Sequence, residues 1–174
     1  MKLFIHSFIQ NFTEVGYKKT RAPEKLYNLV KEFWDKNKDS QYKESFGIGS
    51  VIINYWDNPS YVLDILNEEL DGGGPDLLDA INEASVEAIE EWVGMKINPV
   101  STYGIRIYKE GSILTPHVDR TPLISSVIIN VAQDVDEDWP LEVIGHDGIA
   151  HNVTMEPGDM VLYESHSIIH GKNR

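Results

Sequence analysis

Two stretches in the first half of the chain have the apolar spacing that is typical of amphipathic helices. In the first, Pro23 suits the first turn of a helix, and the apolar positions after it recur three and four residues apart. These positions are Leu26, Leu29, Val30, Phe33 and Trp34. The second stretch begins at Pro75, directly after the glycines at 72–74, and runs to Gly94, a residue type that commonly ends a helix.

The second half of the chain has a different pattern. From about residue 97, short runs rich in Val, Ile and Tyr are separated by Gly, Pro, Asp and Asn, which predicts strands and turns. The runs are Tyr103–Tyr108, Ile124–Val131, Leu141–Ile144 and Met160–Tyr163, and an earlier run at Ile48–Tyr55 has the same character. Helices followed by closely spaced strands indicate an α+β chain that is mainly β, with helices on one side of an antiparallel core. A jelly roll or another barrel-like sandwich is the architecture that this order favours.

The composition narrows the classes of function. A length of 174 residues predicts one domain covering 1–174. The 15 Lys and Arg against 28 Asp and Glu give a net charge of −13, which argues against nucleic acid or an anionic membrane as the partner. No run reaches the roughly 20 apolar residues of a membrane span. Met1–Phe12 lacks the apolar run and cleavage site of a signal peptide, and the chain has no cysteine, so we expect a cytoplasmic location.

The absence of cysteine confines any transition-metal site to His, Asp and Glu. In an extended segment, residues two apart point to the same side, so His117 and Asp119 can bind one cation from a single direction. A second histidine follows the strand at 160–163, where both His166 and His170 are available. Two histidines and one carboxylate on one face of a metal leave the other positions open, which is the arrangement of non-haem Fe(II) oxygenases.

These motifs resemble a known family. The segment Tyr108–Asp119, with a Tyr before a Gly-containing turn and then His-x-Asp, is similar to the prolyl 4-hydroxylase-type iron(II)/2-oxoglutarate dioxygenases. Pro157-Gly158-Asp159, the apolar strand after it and the pair His170-Gly171 are similar to the end of that family's motif. The resemblance covers about residues 101–174 and implies that they form a double-stranded β-helix (jelly-roll) core. Residues 1–100 match only loosely, as helical support and first strands.

The resemblance also implies an activity and a set of site residues. Fe(II) would act with 2-oxoglutarate and O₂ as co-substrates, with ascorbate as a further candidate reductant, and a prolyl residue in a peptide or protein would be hydroxylated. His117, Asp119 and His170 match the metal ligands at the catalytic centre, and His166 is the alternative to His170. Tyr108 matches a tyrosine that hydrogen-bonds the co-substrate carboxylate. Asn130 either contributes another polar contact to the co-substrate or ends its strand.

Two alternatives to a prolyl hydroxylase remain. One is an oxygenase of the same class that hydroxylates a small molecule or another side chain. The other is a jelly-roll metal-binding module without turnover. Loss of succinate formation in His117→Ala or Asp119→Ala separates the enzymes from the module, and the oxidised product separates the two enzymes.

The end of the chain departs from the family pattern. In the family, a basic residue well beyond the distal histidine pairs with the far carboxylate of 2-oxoglutarate, whereas here Arg174 is the last residue. Lys172 is too close to His170 to lie on a following strand. Either the jelly roll lacks its last strand or the carboxylate is held differently. We expect the first, with the basic residue after Arg174.

Four further residues have open roles. His146 and His151 flank Asp147-Gly148, a turn signal, which predicts exposed loop positions for both histidines. Arg106 alternates with Tyr108 and either faces the pocket or is a partly exposed surface residue. Trp139 either contacts the substrate or packs in the core.

Overall fold

The helices and strands are defined for the residues that the computed structural model describes, 10–45 and 58–172. The helices in these ranges are α1 (Glu24–Asn37) and α2 (Pro75–Val93), with a short 3₁₀ helix at Lys38–Ser40. The strands are β1 (Tyr17–Arg21), β2 (Tyr42–Lys43), β3 (Tyr61–Leu63), β4 (Ile105–Ile107), β5 (Leu114–His117), β6 (Ser126–Ile129), β7 (Leu141–Ile144), β8 (Ala150–Val153), β9 (Asp159–Tyr163) and β10 (Ile169–Lys172). The predicted strand at Ile48–Tyr55 lies outside the described residues.

Both predicted helices are confirmed. Pro23 directly precedes α1, which buries Leu26, Val30 and Phe33 as the spacing requires. Helix α2 begins at Pro75 and ends before Gly94, whose φ of 72° is the left-handed conformation that glycine adopts without a steric penalty. None of the described helices is long and apolar enough to cross a membrane.

The described strands form three antiparallel sheets. Their orders are β1-β9-β6, β5-β10-β7-β8 and β2-β3-β4. Strand β9 lies between β1 and β6 and is buried along its whole length, which explains why its sequence is a nearly continuous apolar run. The antiparallel, mainly β core agrees with the architecture predicted from the strand spacing.

The core has two parts, one on each side of β9. On one side, Met160 and Leu162 pack with Leu26 of α1 and Ile89 of α2, so that the helices cover this face. On the other side, Val161 packs with the buried residues of the second sheet, which are Leu141, Val143, Val153, Met155 and Ile168. Alternate side chains of β9 thus join the helical layer and the second sheet. The predicted boundary at about residue 100 stays a prediction.

Candidate metal centre

The three predicted metal ligands converge in the structure. His117, at the end of β5, lies opposite His170 on β10, and their ring centroids are 4.4 Å apart. Oδ1 of Asp119 lies 3.7 Å from Nε2 of His117 and 3.8 Å from Nε2 of His170. The donor atoms of all three side chains lie within 4.8 Å of one another. The arrangement is the two-histidine, one-carboxylate set that the sequence motifs suggested.

Hydrogen bonds hold the three side chains in place. Nδ1 of His117 lies 2.8 Å from the carbonyl oxygen of Thr115, and Nδ1 of His170 lies 3.0 Å from that of Ile168. A carbonyl only accepts, so each Nδ1 carries the proton and each Nε2 lone pair is left for a metal ion. The backbone N–H of Asp119 donates to the carbonyl oxygen of Ser165 at 2.7 Å.

The electrostatics of the site favour metal binding over protonation. Burial lowers the pKa of His170, and the proximity of His117 lowers it further. His170 is therefore neutral near pH 7, which is the form that binds a metal. The ring of Tyr163 lies 4.5 Å from the His170 ring, and burial together with Asp119 raises the pKa of its phenol. Because the phenol of Tyr163 stays neutral, the negative charge at this site comes from the carboxylate of Asp119.

The donor set and its spacing fit an Fe(II) ion. Two imidazole nitrogens and a carboxylate oxygen on one face are the ligands of non-haem Fe(II) oxygenases. Ligand atoms about 2.1 Å from an ion and at right angles to one another are about 3 Å apart. From the spacings of 3.7 and 3.8 Å, each ligand atom moves by about 1 Å or less to reach that geometry.

Gly171 allows the two ligand-bearing strands to approach each other. A Cβ atom at this position would lie 2.8 Å from the carbonyl oxygen of Leu114 and 3.0 Å from Cα of Pro116, both of which are backbone atoms of β5. A side chain here would push β10 away from β5. The close approach of β5 therefore explains why glycine, rather than a residue with a side chain, follows His170.

His166 is not part of the converging group. Its Nδ1 lies 2.8 Å from the carbonyl oxygen of Ile124, and its ring packs against Phe12 with a centroid distance of 6.0 Å. Between the two histidines that the sequence left open, His170 is the one placed beside His117 and Asp119.

The prediction that His146 is exposed is wrong, whereas His151 is partly exposed. Nδ1 of His146 lies 3.2 Å from the carbonyl oxygen of Thr13, and its side chain is only 11% exposed. The turn folds back onto the segment before β1, because the backbone N–H of His146 donates to the carbonyl oxygen of Val15. His151 lies beside Asp147 with 37% of its side chain exposed.

Among solved structures, two that are similar to this chain are informative about its fold. A Pseudomonas putida prolyl-4-hydroxylase matches with a TM-score of 0.61 and 14% identity, over 91% of this chain and 84% of that one. A protein named OsALKBH1 matches with a TM-score of 0.50 and 16% identity, over 94% of this chain and 88% of that one. The chain has the jelly-roll fold of these dioxygenases. The predicted fold class is thereby confirmed. No protein-family model and no curated protein matches the chain.

A cleft lined by the three predicted ligands also contains Tyr108, the predicted co-substrate residue. Its ring packs edge-on against Trp139 at a centroid distance of 5.2 Å. Burial raises the pKa of its phenol, and this effect outweighs the nearby positive charge of Arg106, which acts to lower it. Tyr108 is therefore a neutral hydroxyl held at the cleft wall. Trp139 lines the same cleft.

Asn130 lies at the end of β6, at the edge of this cleft. Its amide nitrogen donates to the carbonyl oxygen of Met155 at 2.9 Å and to Oε1 of Gln133 at 2.6 Å. Both donor hydrogens are thus used in the loop. A contact between Asn130 and a co-substrate stays a prediction.

Arg106 is paired with a carboxylate that sequence reasoning did not single out. Its guanidinium bonds Glu44 with Nε at 3.1 and 3.0 Å from the two oxygens and Nη2 at 2.6 Å from one of them. Burial alone would raise the pKa of Glu44, but hydrogen bonds from Arg106, Ser60 and Tyr103 outweigh it and hold that pKa below its ordinary value. The positive charge of Arg106 is therefore neutralised within the protein.

Lys172, at the end of β10, also lines the cleft. Its Nζ donates to the carbonyl oxygen of Trp139 at 2.6 Å and lies 4.2 Å from the centre of the Trp139 ring. Burial lowers the pKa of Lys172 to about 8. No local sequence pattern predicts the contact between Lys172 and Trp139, because the two residues are 33 positions apart in the chain.

Proposed function

We propose that the chain is an Fe(II)- and 2-oxoglutarate-dependent dioxygenase. The observation that carries the proposal is the convergence of His117 Nε2, His170 Nε2 and Asp119 Oδ1 on one point, with both Nδ1 atoms fixed by carbonyl oxygens. The jelly-roll fold shared with the Pseudomonas putida prolyl-4-hydroxylase supports it.

The residues of the site have separate tasks in this proposal. When bound, Fe(II) with 2-oxoglutarate and O₂ supplies the oxidation of an unactivated C–H bond, with succinate and CO₂ as co-products. His117, Asp119 and His170 hold the ion from one face and leave the remaining positions open to the cleft. Tyr108 presents its hydroxyl to a carboxylate of the co-substrate, and Asn130 is a second candidate for a polar contact.

A peptide or protein with prolyl residues is the proposed substrate. The similarity to a Pseudomonas putida prolyl-4-hydroxylase supports prolyl hydroxylation. The cleft is open and has exposed apolar side chains, Val118 and Ile124, close to the ligands in sequence. Its rim includes four exposed acidic residues, Asp134, Asp136, Glu137 and Asp138, which would repel a polyanion. A small molecule or another side chain is the alternative substrate.

Succinate formation tests the class of enzyme. Purified protein with Fe(II), ascorbate, 2-oxoglutarate and a library of proline-containing peptides should convert 2-oxoglutarate to succinate, measured by NMR. His117→Ala and Asp119→Ala should abolish this turnover. His151→Ala, which removes a partly exposed histidine outside the site, should not. Binding of Fe(II) without any succinate, for every peptide and for small-molecule extracts, would support a metal-binding module instead.

The oxidised product tests the substrate. Mass spectrometry should find peptides that have gained one oxygen atom, and fragmentation should place the oxygen on proline. Oxygen on another side chain, or in a small molecule only, would retain the dioxygenase and reject the prolyl substrate.

A further inference from the structure

The exposed large apolar side chains of the described residues are concentrated in the cleft that holds the metal centre. Six of the eleven line it, and these are Met95, Val100, Tyr103, Val118, Ile124 and Val135. A cluster of exposed apolar side chains with a polar rim is typical of a surface that binds an apolar partner. Among the aromatic residues that line the cleft within 10–45 and 58–172, Tyr103 is the only exposed one.

The ring of Tyr103 is held in place although 55% of the residue is exposed. Its hydroxyl donates a hydrogen bond to Oε1 of Glu44, a carboxylate that is buried. Cζ of Arg106 lies 4.4 Å from the centre of the ring and covers one face, so the exposed face is the other one. A surface ring that is already fixed loses little conformational entropy when a ligand stacks on it.

The backbone around Tyr103 is fixed as well. Oγ1 of Thr102 donates to Oδ1 of Asn82 on α2 at 3.2 Å. At Gly104, whose φ is 113°, a Cβ atom would lie 2.5 Å from the carbonyl oxygen of Leu63, so the chain is pressed against β3. Contacts with α2 and β3 therefore hold the residues on both sides of Tyr103, which is the support that a binding residue needs to keep its geometry.

Arg106 connects Tyr103 to the metal side of the cleft. Its guanidinium contacts the Tyr103 ring, and its positive charge acts to lower the pKa of the phenols of Tyr108 and Tyr163. The ring of Tyr163 in turn lies 4.5 Å from the ring of His170. Tyr103 is thus on the same wall of the cleft as the metal ligands, with Arg106 between them. A group bound at Tyr103 is therefore a part of the substrate that flanks the reacting group.

A peptide fits this position better than a nucleic acid does. Exposed aromatic rings stack on nucleobases as well as on apolar side chains. The four exposed acidic residues of the rim, at 134–138, line the same cleft and would repel a phosphodiester backbone. The other exposed apolar side chains of the cleft are not aromatic, so they offer no second ring to a stacked base, whereas each can pack against an apolar side chain of a peptide.

We propose that Tyr103 is a specificity-determining residue that stacks on an apolar side chain of the peptide substrate, beside the residue that is oxidised. The inference rests on the proposed function, since it assumes that the oxidised residue lies at the metal centre. It adds a sequence preference to that function: the substrate carries a large apolar residue at one fixed position next to the target residue. Two aromatic rings attract each other beyond the area that they bury, so phenylalanine is the preferred residue at this position.

Peptide binding to the metal-loaded protein tests the inference without turnover. The protein is loaded with Mn(II) and 2-oxoglutarate, and the probes are fluorescein-labelled nonapeptides with proline in the centre, lysine at both ends and alanine elsewhere. One alanine at a time is replaced by phenylalanine or by asparagine, and fluorescence anisotropy gives each affinity. At one position, the wild-type protein should bind the phenylalanine peptide about ten-fold more tightly than the asparagine peptide. Tyr103→Ser should reduce this ratio to about two-fold or less, and Tyr103→Phe, which keeps the ring, should retain it.

Tyr42→Ser is the matched control, because Tyr42 is 50% exposed but does not line the cleft, and it should leave the ratio unchanged. A measurement on the wild-type protein avoids any folding defect: the preferred phenylalanine peptide should protect Tyr103, but not Tyr42, in hydroxyl-radical footprinting.

An unchanged ratio in Tyr103→Ser, the absence of a preferred position for phenylalanine, or the absence of protection at Tyr103 overturns the inference alone. Octathymidylate that binds the wild-type protein more tightly than every peptide, and is weakened by Tyr103→Ser, assigns the ring to a nucleobase and also overturns it. A wild-type protein that binds none of the peptides overturns the inference, and if it also forms no succinate in the turnover assay, the proposed function fails with it.

Discussion

His117 and His170 lie directly opposite each other on the neighbouring antiparallel strands β5 and β10. Each imidazole donates its Nδ1 proton to the carbonyl oxygen of the residue two positions earlier, which is Thr115 for one and Ile168 for the other. Each ring is therefore oriented by its own strand. The distance between the two Nε2 atoms then depends on how closely the strands approach, so that strand pairing sets the geometry of the metal centre.

Gly171→Ala tests this dependence on strand pairing. The added methyl group meets backbone atoms of Leu114 and Pro116, which cannot move without separating the strands. We expect Mn(II) affinity to fall by about ten-fold or more. The free energy of unfolding should fall by about 1–3 kcal/mol, as for overpacking elsewhere. Calorimetric Mn(II) titration and urea unfolding measure the two effects.

Ile169→Ala is the control for this change, because Ile169 lies on the same strand and is 39% exposed. It should leave the Mn(II) affinity unchanged. Full Mn(II) affinity in Gly171→Ala would contradict the role given to strand approach.

Ser126→Ala tests the support of the carboxylate ligand. The Ser126 hydroxyl lies 3.4 Å from Oδ2 of Asp119 and 2.8 Å from Oγ of Ser165. Removing a group that orients a ligand typically lowers metal affinity by about ten-fold or more, and we expect about ten-fold here. The neighbouring Ser125 has a buried hydroxyl without a hydrogen-bond partner among the described residues, so Ser125→Ala should have no such effect. Equal Mn(II) affinities for the two variants would count against this support.

Glu164→Gln tests a carboxylate that ties the start of the described chain to the turn before β10. The Glu164 side chain is fully buried and accepts hydrogen bonds from Phe12 N at 3.0 Å, Thr13 N at 2.8 Å and Thr13 Oγ1 at 2.6 Å. The amide of glutamine has nearly the same shape as the carboxylate but carries no charge. Its NH₂ group would also face groups that themselves donate hydrogen bonds. We expect a loss of about 1.5–3 kcal/mol in the free energy of unfolding, measured in urea. Glu156→Gln, at an exposed position, should lose much less, and equal losses would reject the tether.

The helices and several strands could be predicted because their signals are local. Pro75 and Gly94 mark the two ends of α2, and β7 occupies the predicted Leu141–Ile144. Strand β1 was not predicted, because three of its five residues are Lys or Arg. It forms through its pairing with the buried β9 and has one edge without a partner among the described strands. Strand β10 includes Gly171 and forms because β5 and β7 lie on either side of it.

The residues of the candidate site also divide into those with a local sequence signal and those whose contacts depend on the fold. His117 and Asp119 could be found from a spacing of two residues, and His170 was preferred to His166 because the His170-Gly171 pair resembles the family's motif. Glu44 and Arg106 are 62 residues apart, and no local pattern connects them. The same holds for Lys172 and Trp139. Pairings of this kind depend on the fold, so they were found only in the structure.

The contacts of the Asp159 carboxylate predict that the folded protein loses stability in acid. Its carboxylate accepts a hydrogen bond from Glu156 N at 2.9 Å and pairs with Lys19 at 2.9 Å and Arg21 at 2.8 Å. The Glu156 hydrogen bond first, and then Lys19 and Arg21, hold the pKa of Asp159 well below its ordinary value. A carboxylate with a lowered folded pKa contributes stability above the unfolded pKa of about 3.9, and that contribution is lost as the pH falls below it.

Asp159→Asn should therefore lower the free energy of unfolding by about 1–3 kcal/mol at pH 7. The difference from the wild-type protein should begin to shrink as the pH is lowered below about 5 and should keep shrinking below pH 3, since the wild type loses the contribution of this carboxylate only as the pH approaches its lowered folded pKa. Urea unfolding at a series of pH values measures the difference. Asp136→Asn, on the exposed loop, should show no pH-dependent difference, and a constant difference for Asp159→Asn would rule out its charge as the cause.

The pairing of Arg106 with Glu44 predicts unequal effects of single and double substitutions. Glu44 is 3% exposed, and its replacement by Gln leaves the guanidinium of Arg106 without a counter-charge in a mostly buried position. Breaking a buried ion pair from one side costs about 3–5 kcal/mol, so Glu44→Gln should be strongly destabilising. The double variant Glu44→Gln with Arg106→Met removes both charges and should be more stable than Glu44→Gln alone. The exposed pair Lys25 with Glu83 is the control, since its removal should cost less than about 1 kcal/mol by the same urea measurement. A double variant no more stable than Glu44→Gln would show that the hydrogen bonds of Glu44 to Ser60 and Tyr103, rather than its charge, hold this wall of the cleft together.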